Sequence, residues 1–276
     1  MHNEAPLLLL AVILFSAGVT AFFMPIMTTE TEIRQDAEDY AALRKQLSTS
    51  DQPMLTRVTD GRIELDGEQA STTLPLHTDD VASVQRYTDA DLAACKAANA
   101  DFIGWLQIPN TTVDYPVVRS DDTDYYLSHT FTGQKSYIGT LFSLLKTDFQ
   151  APSRNIAIYG HHIRSNAQVM FSPLTDYKEQ SFYADHATFC LDTLYHAAAY
   201  KVFAVLNMRN GDWEPSIADF NSDAEFLAFV NRAKALSLYD TNVGVKATDR
   251  ILTLITCDRS FGGKEGRLIV MAVEQP

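Results

Sequence analysis

Cys257 closes the apolar run Ile251-Leu-Thr-Leu-Ile-Thr256, and Arg267 heads a second run, Leu268-Ile-Val-Met-Ala-Val273, after a loop containing Gly262, Gly263 and Gly266. Short apolar runs bounded by glycine, with many β-branched residues, read as buried strands. Paired as an antiparallel hairpin, the two runs bring the thiol and the guanidinium to one edge of a sheet. A nearby cation favours the thiolate form of a cysteine, whose ordinary pKa is about 8.5. A planar, permanently charged donor can also hold negative charge that develops on a carbonyl oxygen. The pair therefore has the makings of a nucleophile and an oxyanion stabiliser. The same segment also reads as an ordinary hairpin, with Arg267 paired to Asp258 or Glu265 and Cys257 buried.

Acyl transfer by a thiol needs a proton carrier as well. The run Asn155-Ile-Ala-Ile-Tyr-Gly160 reads as a strand that ends in glycine and is followed by His161 and His162. A histidine just past a strand end is firmly held and still exposed. With an ordinary pKa near 6.5, it can protonate a leaving amine and later deprotonate an incoming nucleophile.

Three cysteines, Cys95, Cys190 and Cys257, cannot all pair within one chain, and their wide separation resembles neither a zinc cluster nor a disulfide framework. Cys95 and Cys190 read as small buried hydrophobes. No metal or cofactor is expected. A formal net charge of −13 would repel a phosphate backbone, which argues against nucleic acid as a partner. At 46% hydrophobic and 21% charged residues the chain can build a core.

Leu7 to Met27 carries no charged side chain and is long enough to cross a hydrocarbon layer of about 30 Å. It reads as a membrane anchor, with a cleaved signal peptide or a core helix as the competing readings. A helix follows to Leu47, with Ile33, Ala37, Tyr40, Leu43 and Leu47 recurring at helical spacing and Thr29 with Glu32 as a possible capping box. The stretch 48–83 is polar and turn-rich and reads as a linker. Thr88 and Asp91 form a second capping signal, for a helix through Asn99.

Beyond residue 101 the texture is all-β. Strands are expected at Gly104 to Ile108, Val113 to Val118, Tyr137 to Leu141, Ile156 to Tyr159, Ala197 to Leu206, Ile251 to Thr256 and Leu268 to Val273. One helix interrupts them at about Asp223 to Leu236, with Phe226, Phe229, Val230 and Ala233 on a single stripe.

Several of these segments, in order, resemble the sortases, specifically class B. They are Asp101-Phe-Ile-Gly-Trp-Leu-Gln-Ile108, Val113-Asp-Tyr-Pro-Val-Val118, Tyr125-Tyr-Leu-Ser-His-Thr-Phe131, Ile158-Tyr-Gly-His161, Met170-Phe171 followed by Leu174 and Tyr177, and Thr253-Leu-Ile-Thr-Cys257 with Arg267. The resemblance covers about residues 88 to 276. It implies a mainly β fold: an eight-stranded closed barrel, two N-terminal helices and a long helix before the cysteine-bearing strand. The implied division is an anchor at 1–27, a helix and linker at 28–87, and a catalytic barrel at 88–276.

The resemblance also implies a cysteine transpeptidase whose catalytic residues are His161, Cys257 and Arg267, with substrate contacts from Thr123, Leu127, Thr256 and Asp258. In family terms, Cys257 attacks the Thr carbonyl of a C-terminal sorting motif in a secreted protein. The resulting thioester passes to an amine of the peptidoglycan cross-bridge or of a pilin lysine. The implied place is a Gram-positive-type cell envelope, with the barrel outside and residues 7–27 in the membrane. Two positions depart from the class B pattern: Ile255 stands where Ser is common, and Thr123 where Asn is common. An inactive surface-displayed binding barrel and a cysteine hydrolase using water are the alternatives.

Overall fold

The computed structural model describes residues 29–47, 87–122 and 124–276. The expected anchor at 7–27 and linker at 48–83 lie outside them. Among the described residues, no helix is long and apolar enough to cross a membrane.

Eight strands close into a barrel: β1 (Phe102–Gln107), β2 (Asp114–Ser120), β3 (Leu141–Leu144), β4 (Asn155–Tyr159), β5 (Thr188–Thr193), β6 (Ala197–Arg209), β7 (Ile251–Cys257) and β8 (Gly266–Glu274). Their order around the wall is β1-β2-β3-β4-β7-β8-β6-β5, with β5 pairing back to β1. Pairing is antiparallel except for β2·β3 and β4·β7. A parallel pair needs a long crossover, and for β4 to β7 that crossover carries β5, β6 and three helical segments.

The continuous apolar character of β7 follows from its place in this wall, because it is covered on both faces. Leu252 and Leu254 point into the barrel core with Leu268, Val270 and Ala272 of β8. Ile251 and Ile255 belong to a second cluster outside the wall with Ile269, Met271 and Val273. That outer cluster is capped by helix α4 (Asp223–Leu236) through Phe226, Phe229, Val230 and Ala233, the stripe anticipated from spacing.

Helix α1 (29–47) lays Ile33, Asp36, Tyr40 and Leu47 against the barrel. The buried Tyr40 hydroxyl donates to the Gly139 carbonyl at 2.8 Å and accepts from the Phe131 amide at 3.0 Å. Ser136 donates to Asp36 at 2.6 Å. Helix α2 (Asp89–Ala98) opens with the expected capping box, in which Thr88 and Asp91 exchange hydrogen bonds.

The structure corrects three expectations. The strand expected at Tyr137 to Leu141 begins only at Leu141, because Gly139 adopts φ +63° in a loop folded tightly under the Tyr126 carbonyl. Strand β5 was not anticipated: Asp192 and Thr193, both buried, interrupt the apolar signal. Helix α3 (Gln180–Asp185), preceded by a 3-10 segment at Ser172–Lys178, was also not anticipated.

Tyr40→Phe removes the hydroxyl that serves the 131–140 loop and leaves a buried amide without its acceptor, at a cost of about 1–3 kcal/mol. Chemical denaturation should show that loss, and an unchanged midpoint would contradict the docking of α1 described here.

Candidate active site

Cys257 is the last residue of β7 and Arg267 the second of β8, and the two are direct cross-strand partners. Residues opposite each other in an antiparallel ladder point to the same face. Alternation places both on the outer face with Ile255 and Ile269, where the strands run past the cover of α4. Cys257 is a free thiol and, like Arg267, is half-buried. Arg267 Nη1 donates to the carbonyls of Lys264 and Gly266 at 3.0 and 2.9 Å, which holds the guanidinium at the rim. It is paired with neither Asp258 nor Glu265.

The loop between the two strands is pinned at its base. Asp258 N donates to the Gly266 carbonyl at 2.9 Å, and a Cβ on Gly266 would lie 1.5 Å from the Phe261 carbonyl oxygen, so only glycine fits there. The buried Asp258 carboxylate accepts from Lys178 Nζ at 3.0 Å and from the Ser260 backbone amide at 3.0 Å. Burial pushes this carboxyl upward, but the Ser260 and Lys178 hydrogen bonds and the lysine charge outweigh that and hold it below the usual carboxylate range.

His161 enters from β4, which runs parallel to β7 in the register Tyr159↔Ile255. The ladder carries one bond further, from Gly160 N to the Ile255 carbonyl at 3.2 Å, and the Phe171 amide holds the His161 carbonyl at 2.9 Å. His161 Nε2 lies 2.8 Å from the Leu127 carbonyl oxygen. A carbonyl only accepts, so Nε2 carries the proton and Nδ1 is left to take and give one. Burial lowers the pKa of His161; the Leu127 bond opposes this, and the charge of Arg259 adds to the lowering. The ring is therefore neutral at neutral pH.

The comparisons with known proteins point to one family. The family model described as the sortase domain matches residues 106–275. Sortase B of Listeria monocytogenes is 31% identical over 180 residues, covering 65% of this chain and 72% of that protein.

This chain belongs to the sortase family and is a class B sortase.

Sortase B of Staphylococcus aureus is 28% identical over 188 residues, covering 68% of this chain and 76% of that protein. Among solved structures, a Staphylococcus aureus sortase B–substrate complex superposes with a TM-score of 0.64 at 27% identity, covering 69% of this chain and 87% of that one. Sortase B from Bacillus anthracis in complex with AAEK1 does so with a TM-score of 0.60 at 30% identity, covering 67% and 83%. The sortase described here is accordingly a transpeptidase of the cell envelope.

The four further residues expected to touch substrate occupy different settings. Thr123 lies outside the described residues. Leu127 is half-buried, and its carbonyl receives His161. The Thr256 hydroxyl is buried and donates to the Gly160 carbonyl at 2.8 Å, which ties the cysteine strand to the histidine segment. Asp258 is occupied by Lys178 and Ser260. Sequence reasoning gave no signal for Lys178, which lies far along the chain from Asp258, and chose His161 over its neighbour His162, whose Nδ1 sits 2.9 Å from the Cys257 carbonyl oxygen.

A folded-state pKa below the ordinary 6.5 means that His161 contributes stability above about pH 6.5, lost as pH falls through the lowered value. Titration of the His161 ring by NMR should give a midpoint below 6.5 that rises in Arg259→Gln. A wild-type midpoint at or above 6.5 would contradict the burial described.

Proposed function

We propose that this sortase cleaves a C-terminal sorting motif of secreted proteins after Thr and transfers the acyl group, through a thioester on Cys257, to an amine of the cell wall or of a pilin. The observation that carries the reading is the direct opposition of the half-buried Cys257 and Arg267 at the strand ends, beside the strand end that delivers His161.

In the first half, the thiol proton passes to Nδ1 of the neutral His161 while the sulfur attacks the Thr carbonyl carbon. The carbonyl electrons move onto oxygen, where the Arg267 Nε–H and Nη2–H groups receive the charge. Collapse re-forms the carbonyl, breaks the C–N bond and leaves the thioester, and the departing amine takes the proton from His161. In the second half an acceptor amine gives a proton to His161 as it attacks the thioester, and the sulfur leaves and is reprotonated. A lowered histidine pKa suits this sequence, because His161 begins each half as a base. Residues 7–27 would tether the enzyme so that the barrel faces secreted substrates.

Cys257→Ala should abolish both peptide cleavage and thioester capture, whereas Cys95→Ala and Cys190→Ala keep activity; full cleavage by the Cys257 variant would remove the reading. Arg267→Lys keeps the charge but loses the planar fork, and turnover should fall by about 10²-fold with little change in thermal stability. Unchanged turnover would take Arg267 out of the mechanism. An added amine should compete strongly with water for the acyl group, and indifference to amine would favour a hydrolase.

A further inference from the structure

Beyond the residues assigned above, we propose that His162 is a positioning residue that holds the peptide of the nucleophile. The proposal rests on the reading that Cys257 is that nucleophile. Along β7 the ladder directs the carbonyls of Ile255 and Cys257 to the same side, toward β4. The Ile255 carbonyl is met by a backbone amide, that of Gly160. Among the described residues no backbone amide meets the Cys257 carbonyl, because after Gly160 the chain turns to pair with the 170–171 segment instead of β7.

Two contacts force that turn. A Cβ on Gly160 would sit 2.4 Å from Leu141 Cδ2 and 2.7 Å from Phe171 Cδ2, so the chain packs hard against both side chains there. The His161 carbonyl is then claimed by Phe171 N, and His162 pairs across an isolated bridge with Met170.

Side chains continue the register from this point. Thr256 Oγ1 donates to the Gly160 carbonyl at 2.8 Å, and His162 Nδ1–H donates to the Cys257 carbonyl at 2.9 Å. Since that carbonyl can only accept, Nδ1 carries the proton. On the other edge of β7, Asp258 N is held by the Gly266 carbonyl. The peptide that follows the nucleophile is thus clamped from both sides, by β8 through backbone and by the histidine segment through the His162 ring. Because His161 lies between Gly160 and His162, the same two side-chain bonds set the separation of the sulfur and the proton carrier. Without the imidazole the Cys257 carbonyl would turn to water, and the thiol would lose its fixed aim.

The test compares three variants. Asn places an amide N–H where His Nδ1 lies, Phe keeps the ring without a donor, and Ala removes both. Turnover of a sorting-motif peptide should fall by about tenfold in His162→Phe and His162→Ala with KM nearly unchanged, because misplacement of a reacting group acts on the chemical step. His162→Asn should recover most of the loss. Alkylation of Cys257 by iodoacetamide needs no substrate, and Cys95 and Cys190 are buried. Its rate should fall at least about threefold in the Phe and Ala variants and be kept in Asn. Wild-type turnover and alkylation in His162→Phe or His162→Ala, or an Asn variant as impaired as Phe, would overturn the proposal. If the wild-type enzyme fails to cleave peptide but the alkylation pattern holds, the positioning role stands and the transpeptidase reading falls.

Discussion

The site depends on how β7 is held, parallel to β4 on one edge and antiparallel to β8 on the other, each in a single register. A slip of one residue in either ladder would turn Cys257 from the outer face to the barrel interior, or carry Arg267 away from it. The register is secured by burial on both faces of the strand. Leu252 and Leu254 fill the barrel while Ile251 and Ile255 meet the layer under α4, so a slip would exchange two differently shaped sets of contacts. Thr253, fully buried, adds a polar lock by donating to Asn155 Oδ1 of β4 at 2.7 Å. A buried hydrogen bond of this kind is costly to leave unmade, so it too resists displacement.

From that strand the chemistry follows by position. Cys257 lies one step past Ile255 on the outer face, at the end of β7, where the strand is still ordered by its neighbours and the side chain is half-buried. Around it the ion pair of half-buried Lys178 with buried Asp258 and the Gly266 close approach steady the loop toward β8, and the Leu127 carbonyl steadies His161. The Leu127 segment is in turn hydrogen-bonded, through Tyr126 and Ser128, to the 131–140 loop on which α1 docks by Tyr40 and Asp36. The N-terminal helix is therefore connected to His161 through a short run of packed backbone.

Much of this could be read from sequence, and the reasons are local. The β7–β8 hairpin announces itself because both strands are predominantly apolar and the loop between them is glycine-rich. Helix α4 shows its stripe, and Thr88 with Asp91 marks the start of α2. What escaped depends on distance along the chain or on polar residues inside elements. Strand β5 hides behind buried Asp192 and Thr193, and β3 is displaced by a left-handed glycine at position 139. Lys178 reaches Asp258 across 80 residues of sequence, and His162 reaches Cys257 across 95. Thr256 and Asp258 look like groove residues in sequence because they flank the cysteine, yet strand alternation turns both side chains into protein contacts.

The most direct test is a crystal structure of the enzyme with a sorting-motif peptide joined through its Thr carbonyl carbon to Cys257 Sγ. The account predicts that the carbonyl oxygen accepts from the Arg267 guanidinium at about 3 Å, with His161 Nδ1 facing the departing side. It would be contradicted by an adduct whose oxygen is met by other groups while Arg267 stays turned to the Lys264 and Gly266 carbonyls.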